Sequence, residues 1–188
     1  MMSKEYQNII YPLLQAKLEV EIEDEWTAFS RDFNNQYSPR VDIAVGPFNT
    51  EPGQSLIEEY NRLVSQGRIN SFLRSLYNLH IENIGYECLN EITIPPFDIL
   101  LRKNQNARCL LAIEIENKNS KKHILGSLIN AASLGRVGIG IAYSTSVLKT
   151  FIRILNYLNF LKRVEKNTYD TSNFLLVTKD QMTTLLNN

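Results

Sequence analysis

The residues best suited to chemistry lie in the stretch Arg108-Cys-Leu-Leu-Ala-Ile-Glu-Ile-Glu-Asn-Lys118. Apolar and acidic residues alternate from Ala112 to Glu116, so a strand here puts Ile113 and Ile115 on one face and Ala112, Glu114 and Glu116 on the other. Two carboxylates on one side of a strand, about 7 Å apart, repel each other unless solvent or a cation lies between them. A hard divalent ion such as Mg2+ is the cation that oxygen ligands favour. The competing reading is a half-exposed antiparallel strand with a wet acidic face.

Two aspartates are candidate partners for Glu114 and Glu116. In Tyr37-Ser-Pro-Arg-Val-Asp-Ile-Ala-Val-Gly-Pro-Phe48, the alternation of Val41, Ile43 and Val45 predicts a short strand with Asp42 on its less apolar face. In Phe97-Asp-Ile-Leu-Leu-Arg-Lys103 a second strand is expected, joined to the acidic one through Asn104, Gln105 and Asn106. A three-residue loop sets Asp98 opposite Ala112 and on the side of Glu114, whereas a two-residue loop turns it to the other face.

The surrounding elements follow from periodicity. Apolar residues from Tyr6 to Leu18 make a helical stripe in which Pro12 marks a start or kink. The acidic run Glu19 to Glu25 reads as a solvated face, and Trp26, Phe29 and Phe33 suggest that a helix continues beyond it. Residues 53 to 81 read as helix broken near Gly67, and Tyr86 to Ile94 as a strand. Asn119-Ser120 can cap a helix over 121–134 whose first turn holds Lys121, Lys122 and His123, cations that the helix dipole disfavours unless a phosphate lies beside them. The small residues Gly126, Ser127, Ala131 and Ala132 let that helix lie close to a sheet. Residues 136 to 143 form an interior strand after a helical crossover; a helix over 147–161 carries Lys149 and Arg153, and a strand over 173–178 precedes a short final helix.

A chain of 188 residues, 44% hydrophobic and 21% charged, fits one domain spanning 1–188 with a real core. It has no apolar run of membrane-spanning length, and Met-Met-Ser-Lys-Glu-Tyr-Gln lacks the apolar core of a signal peptide, so a cytoplasmic location without a membrane partner is expected. Cys88 and Cys109 read as two reduced thiols rather than a zinc site. Zero formal net charge excludes an indiscriminate nucleic-acid coat, but residues 1–60 hold 4 Lys/Arg against 11 Asp/Glu and residues 61–188 hold 16 against 9. A basic surface around a carboxylate cluster suits a polyanion handled through a metal.

The order helix, strand, strand with Asp98, strand with Glu114, helix, strand resembles the core of the PD-(D/E)xK nuclease superfamily, which includes many restriction endonucleases. The resemblance covers about residues 53 to 143 and implies an α/β, restriction endonuclease-like fold with a mixed central sheet flanked by helices. It implies Asp98 and Glu114 as metal-binding carboxylates, Glu116 where lysine is usual, and Mg2+ or Mn2+ as cofactor. Sliding by two residues gives Glu116-x-Lys118 with the lysine in place. Alternatively, Pro39-Arg-Val-Asp42 supplies the aspartate, with residues 50 to 107 as a long insertion. Lys118, Lys121 or Lys122 could supply the missing cation, with His123 beside them at the phosphate-contacting turn. The activity implied is metal-dependent hydrolysis of DNA phosphodiester bonds, with DNA as partner and a homodimer left open. The alternative is a nuclease-like module that has lost catalysis and binds DNA or protein.

Overall fold

A computed structural model describes residues 3–29, 38–51, 53–86, 92–166 and 169–188. In chain order the elements are α1 (Ser3–Leu18), β1 (Ile22–Thr27), β2 (Arg40–Val45), α2 (Ile57–Val64), α3 (Gly67–Tyr86), α4 (Phe97–Leu100), β3 (Cys109–Glu116), α5 (Lys121–Leu134), β4 (Gly135–Ala142), α6 (Thr145–Arg163), β5 (Phe174–Thr178) and α7 (Lys179–Asn187). The architecture is α/β: a five-stranded mixed sheet, ordered β1-β2-β3-β4-β5, flanked by helices. The β1–β2 and β2–β3 pairs are antiparallel, and the β3–β4 and β4–β5 pairs are parallel, joined by α5 and α6. Strands covered on both faces favour apolar side chains, and all eight residues of β4 are buried, with Arg136 donating to the Asn104 carbonyl and to Asn61 Oδ1.

The strand alternation divides the core into two clusters. Ile113, Ile115, Ile139, Ile141, Leu175 and Val177 join α1, α2, α3, α4 and α7 on one face. Ala112, Phe174 and Leu176 join α5 and α6 on the other. Small residues set the spacing on that second face: a Cβ on Gly138 would lie 2.8 Å from the Ala131 carbonyl oxygen, so α5 can rest this close only above glycine. Ala131 and Ala132 are buried as expected, whereas Gly126 is exposed with open space around it.

The outer edge of β5 is closed by side chains in place of a sixth strand. The Leu176 N–H donates to His80 Nδ1 at 3.0 Å, and Asn83 Nδ2 donates to the Leu176 carbonyl at 2.9 Å. Both side chains come from α3, one turn apart, and they satisfy the two groups that an edge strand leaves open.

Three expected elements differ. Phe97–Lys103 is not a hairpin strand: α4 occupies its start, and Phe97, Leu100 and Leu101 point into the core at helical spacing while Ile99 is 53% exposed. Pro95-Pro96 starts a helical turn, and β3 pairs with β2. Trp26 belongs to β1 rather than to a helix, because four residues from Ile22 to Trp26 satisfy strand and helix periods alike; Phe33 lies outside the described residues. Of the strand expected over 86–94, Tyr86 ends α3, 87–91 lie outside the described residues, and 92–94 form no strand. Pro12 sits inside a continuous α1. Among the described residues no helix is long and apolar enough to cross a membrane.

Burial lowers the pKa of His80 from the usual 6.5 to about 4, so it stays neutral and keeps Nδ1 as an acceptor. The unfolded chain takes up a proton below about pH 6.5 that the folded chain refuses until about pH 4, so stability falls as pH drops through this window. His80→Leu, which strands the Leu176 N–H, should cost about 1–3 kcal/mol at pH 7 and flatten that part of the acid slope, as read by denaturant unfolding at pH 7 and 5.

Candidate metal centre

The β2–β3 ladder stops at Ile43 opposite Ile113, and the next pair in that register is Asp42 and Glu114. Continuing it would set Val41 opposite Ile115, with the Val41 carbonyl taking the Ile115 N–H. Instead the Ile115 N–H donates to Asp42 Oδ2 at 2.7 Å. The Asp42 carbonyl accepts from Nε2 of Gln7, a buried residue of α1, at 2.6 Å. An aspartate side chain thus replaces a backbone rung, and its carboxylate is fixed against β3.

The neighbouring pair of β1 and β2 is disturbed at the same row. Asp24 faces Ile43 and Trp26 faces Val41, which sets Glu25 across from Asp42. Glu25 has φ 48°, a left-handed conformation uncommon for a side-chain-bearing residue inside a strand. The pleat turns over here: Ile22, Ile43 and Val45 pack in the first core, whereas Trp26 and Val41, of the same parity, pack in the second. Glu25, Asp42 and Glu114 share one register row across three adjacent strands, with Glu116 two residues further along β3; Glu25 meets Lys4 of α1 on the first-core side, whereas Glu114 has the parity of Ala112 in the second core.

Glu114 is 7% exposed, and among the described residues no group hydrogen-bonds or ion-pairs with its carboxylate. Burial, then the negative charges of Asp42, Glu116 and Glu25, push its pKa well above the ordinary carboxylate value, against the opposing charge of Arg40. Asp42 is also raised, first by burial and further by Glu25 and Glu116, although the Ile115 N–H and Arg40 oppose the shift. Glu116 ends β3, and its Oε1 accepts from Ser127 Oγ of α5 at 2.5 Å. Glu25 is ion-paired with Lys4 at 3.0 Å and with Arg40 at 3.1 Å.

Of the residues singled out from the sequence, Asp42, Glu114 and Glu116 are brought together. Asp98 is not: it is exposed in α4, in a shallow depression with Ile99, Arg102 and Lys103. α4 packs on the sheet face opposite to the one from which Glu114 projects, so the hairpin argument that joined them fails. Lys118 is exposed beyond the end of β3, and Lys121, Lys122 and His123 are exposed in a first turn of α5 without acidic residues. Cys109 is buried, which pushes its thiol pKa up, and Cys88 lies outside the described residues. Sequence reasoning missed Glu25, Gln7, Ser127 and Arg40. Glu25 was hidden inside an acidic run, and only the strand pairing selects it from its neighbours.

Among the described residues no three His, Cys, Asp or Glu side chains are gathered closely enough to hold a metal ion. The hydrogen bonds account for this: Asp42 is turned to Ile115, Glu116 to Ser127 and Glu25 to Lys4 and Arg40. The donor chemistry nevertheless fits a hard divalent ion, because Glu114 is a buried carboxylate without a partner beside two others. Asp42 and Glu114, with Glu116, could hold it. No protein-family model matches the chain, and neither a curated protein nor a solved structure does.

Raised carboxylate pKa values carry a stability signature. The folded chain holds protons that the unfolded chain has lost above about pH 4.5, so stability falls as pH rises through the raised folded value. Glu114→Gln removes the charge that must be buried at high pH. It should melt above the wild type at pH 8 without divalent ions, with the gap closing at pH 5; equal melting temperatures at both pH values would contradict a strained Glu114.

Proposed function

We propose that the chain is a metal-dependent nuclease that hydrolyses DNA phosphodiester bonds, with a restriction endonuclease-like core. The observation that carries this reading is the buried, partnerless Glu114 in register with Asp42. The element order supports it once Asp42 replaces Asp98: α1, β1, β2 with Asp42, β3 with Glu114, α5, β4 is the order of the PD-(D/E)xK core. Residues 50 to 107 then stand between the two acidic strands as a long insertion.

Asp42 and Glu114 would hold Mg2+ or Mn2+, with Glu116 as a further oxygen donor. When bound, such an ion polarises the phosphate and lowers the pKa of an attacking water. The chain's own part is to hold the carboxylates on adjacent strands: the Ile115 N–H orients Asp42, and Ser127 orients Glu116. Lys118, Lys121, Lys122 and His123 are exposed around the end of β3, where they can contact backbone phosphates. A second reading, a nuclease-like DNA-binding or protein-interaction module without catalysis, is favoured by one observation. Glu116 stands where lysine is usual, and its Oε1 already accepts a hydrogen bond within the fold.

Purified protein should nick or cut DNA with Mg2+ or Mn2+ and not with EDTA. Glu114→Ala should abolish cutting, Asp42→Asn should lower it about a hundredfold or more, and Asp98→Asn should leave it unchanged. DNA binding without cutting under any divalent ion would favour the inactive module. An active Glu114→Ala variant would overturn the nuclease reading.

A further inference from the structure

Beyond the outer edge of β5 the chain forms a cavity of about 300 Å³, at the lower end of the range of small-molecule sites. Its inner wall is apolar. Leu155 and Leu158 of α6 and Phe174 of β5 are buried there, and Ile92 and Ile94, from the segment before α4, pack against the same cluster. Its rim is charged: among the described residues Lys103, Lys162 and Arg163 line it with one carboxylate, Asp170, a net charge of 3 − 1 = +2. Asp170 lies 2.7 Å from Lys162 Nζ and 3.5 Å from Lys103 Nζ, which gathers both cations at the rim. His80 reaches the cavity from α3 while only 4% exposed. Its Nδ1 accepts from the Leu176 N–H, so the neutral ring carries its proton on Nε2. Among the described residues Nε2 has no hydrogen-bond partner. A spare donor on the wall of an apolar cavity is satisfied by water or by an acceptor on a ligand.

We propose that this cavity binds a small organic anion, a carboxylate on a flat apolar body. The body lies against Leu155, Leu158 and Phe174, and the carboxylate accepts from His80 Nε2–H within the field of Lys103, Lys162 and Arg163. The net positive rim disfavours a cation. The apolar wall disfavours a bare inorganic ion, whose lost hydration nothing there replaces. The lining shares no residue with the carboxylates of β2 and β3, so this site is independent of the nuclease reading. A ligand held by α3, α6 and the segments before α4 and β5 joins elements that meet only around the cavity, and its binding stabilises the folded chain.

Calorimetric titration and thermal melting of the full chain test the site with benzoate, naphthalene-2-carboxylate and indole-3-acetate, beside the neutral naphthalene-2-carboxamide and inorganic phosphate. At least one carboxylate should bind saturably and raise the melting temperature. The amide should bind about tenfold or more weakly, because the charge-assisted hydrogen bond is lost. His80→Asn keeps an acceptor for the Leu176 N–H and removes Nε2–H, so it should weaken the carboxylate about tenfold. Lys162→Gln, at an exposed position, should also weaken it, and Asp170→Asn, which removes the opposing carboxylate, should tighten it. Circular dichroism checks each fold, and Lys162→Gln keeps the test decisive should His80→Asn fail to fold. No saturable response to any of the three carboxylates would overturn the inference. So would equal affinity for acid and amide, a response to phosphate alone, or undiminished binding by Lys162→Gln or by a folded His80→Asn.

Discussion

The hydrogen bond from the Ile115 N–H to Asp42 Oδ2 determines how β2 meets β3, and the geometry of the site depends on it. A backbone rung at this point would prolong the ladder and keep Val41 in the pleat of Ile43. A charge-assisted side-chain bond, in general worth about 1.5–3 kcal/mol, satisfies the same N–H and lets β2 turn over. Gln7 then satisfies the Asp42 carbonyl, so the local backbone stays paired while its carboxylate is retained beside Glu114.

Glu114 is the counterpart of that arrangement. Its strand lies in the middle of the sheet, with β4 on one side and β2 on the other, and α5 covers its face. Apolar residues are the expected occupants of such a position, as Ala112 is one step earlier. A carboxylate here carries a desolvation cost that no hydrogen bond or ion pair of a described neighbour offsets and that the charge of Arg40 opposes only in part. Glu116, only two residues on, avoids that cost by reaching Ser127 near the rim. Glu116 is satisfied within the chain, whereas Glu114 has no hydrogen-bond or ion-pair partner among the described residues.

Local patterns were legible where one period dominated. The acidic strand, the helix over 121–134, the interior strand after it and the strand over 173–178 all follow from runs whose alternatives are poor. The α/β class and the mixed, helix-flanked sheet follow in turn. Legibility failed where a short segment fitted two periods: Phe97 to Leu101, expected as a strand, is inward at i, i+3 and i+4, with Ile99 exposed. The choice between Asp42 and Asp98 then rested on a loop parity in a hairpin that does not form. Long-range pairing decides such a matter, and β2 lies more than sixty residues before β3. Glu25 was illegible for the same reason, since nothing local distinguishes it from Glu21 or Glu23.

The charge division of the sequence takes on a different sense once the strands are paired. The acidic first third exposes Glu5, Glu19, Glu21, Glu23, Asp24, Glu51 and Glu58 at the surface. It contributes β1 and β2, so Glu25 and Asp42 are carried to the glutamates of β3, while two of its few cations, Lys4 and Arg40, are held at Glu25. The exposed cations of the later chain, Lys118, Lys121 and Lys122, stand beyond the end of β3 rather than against Glu114.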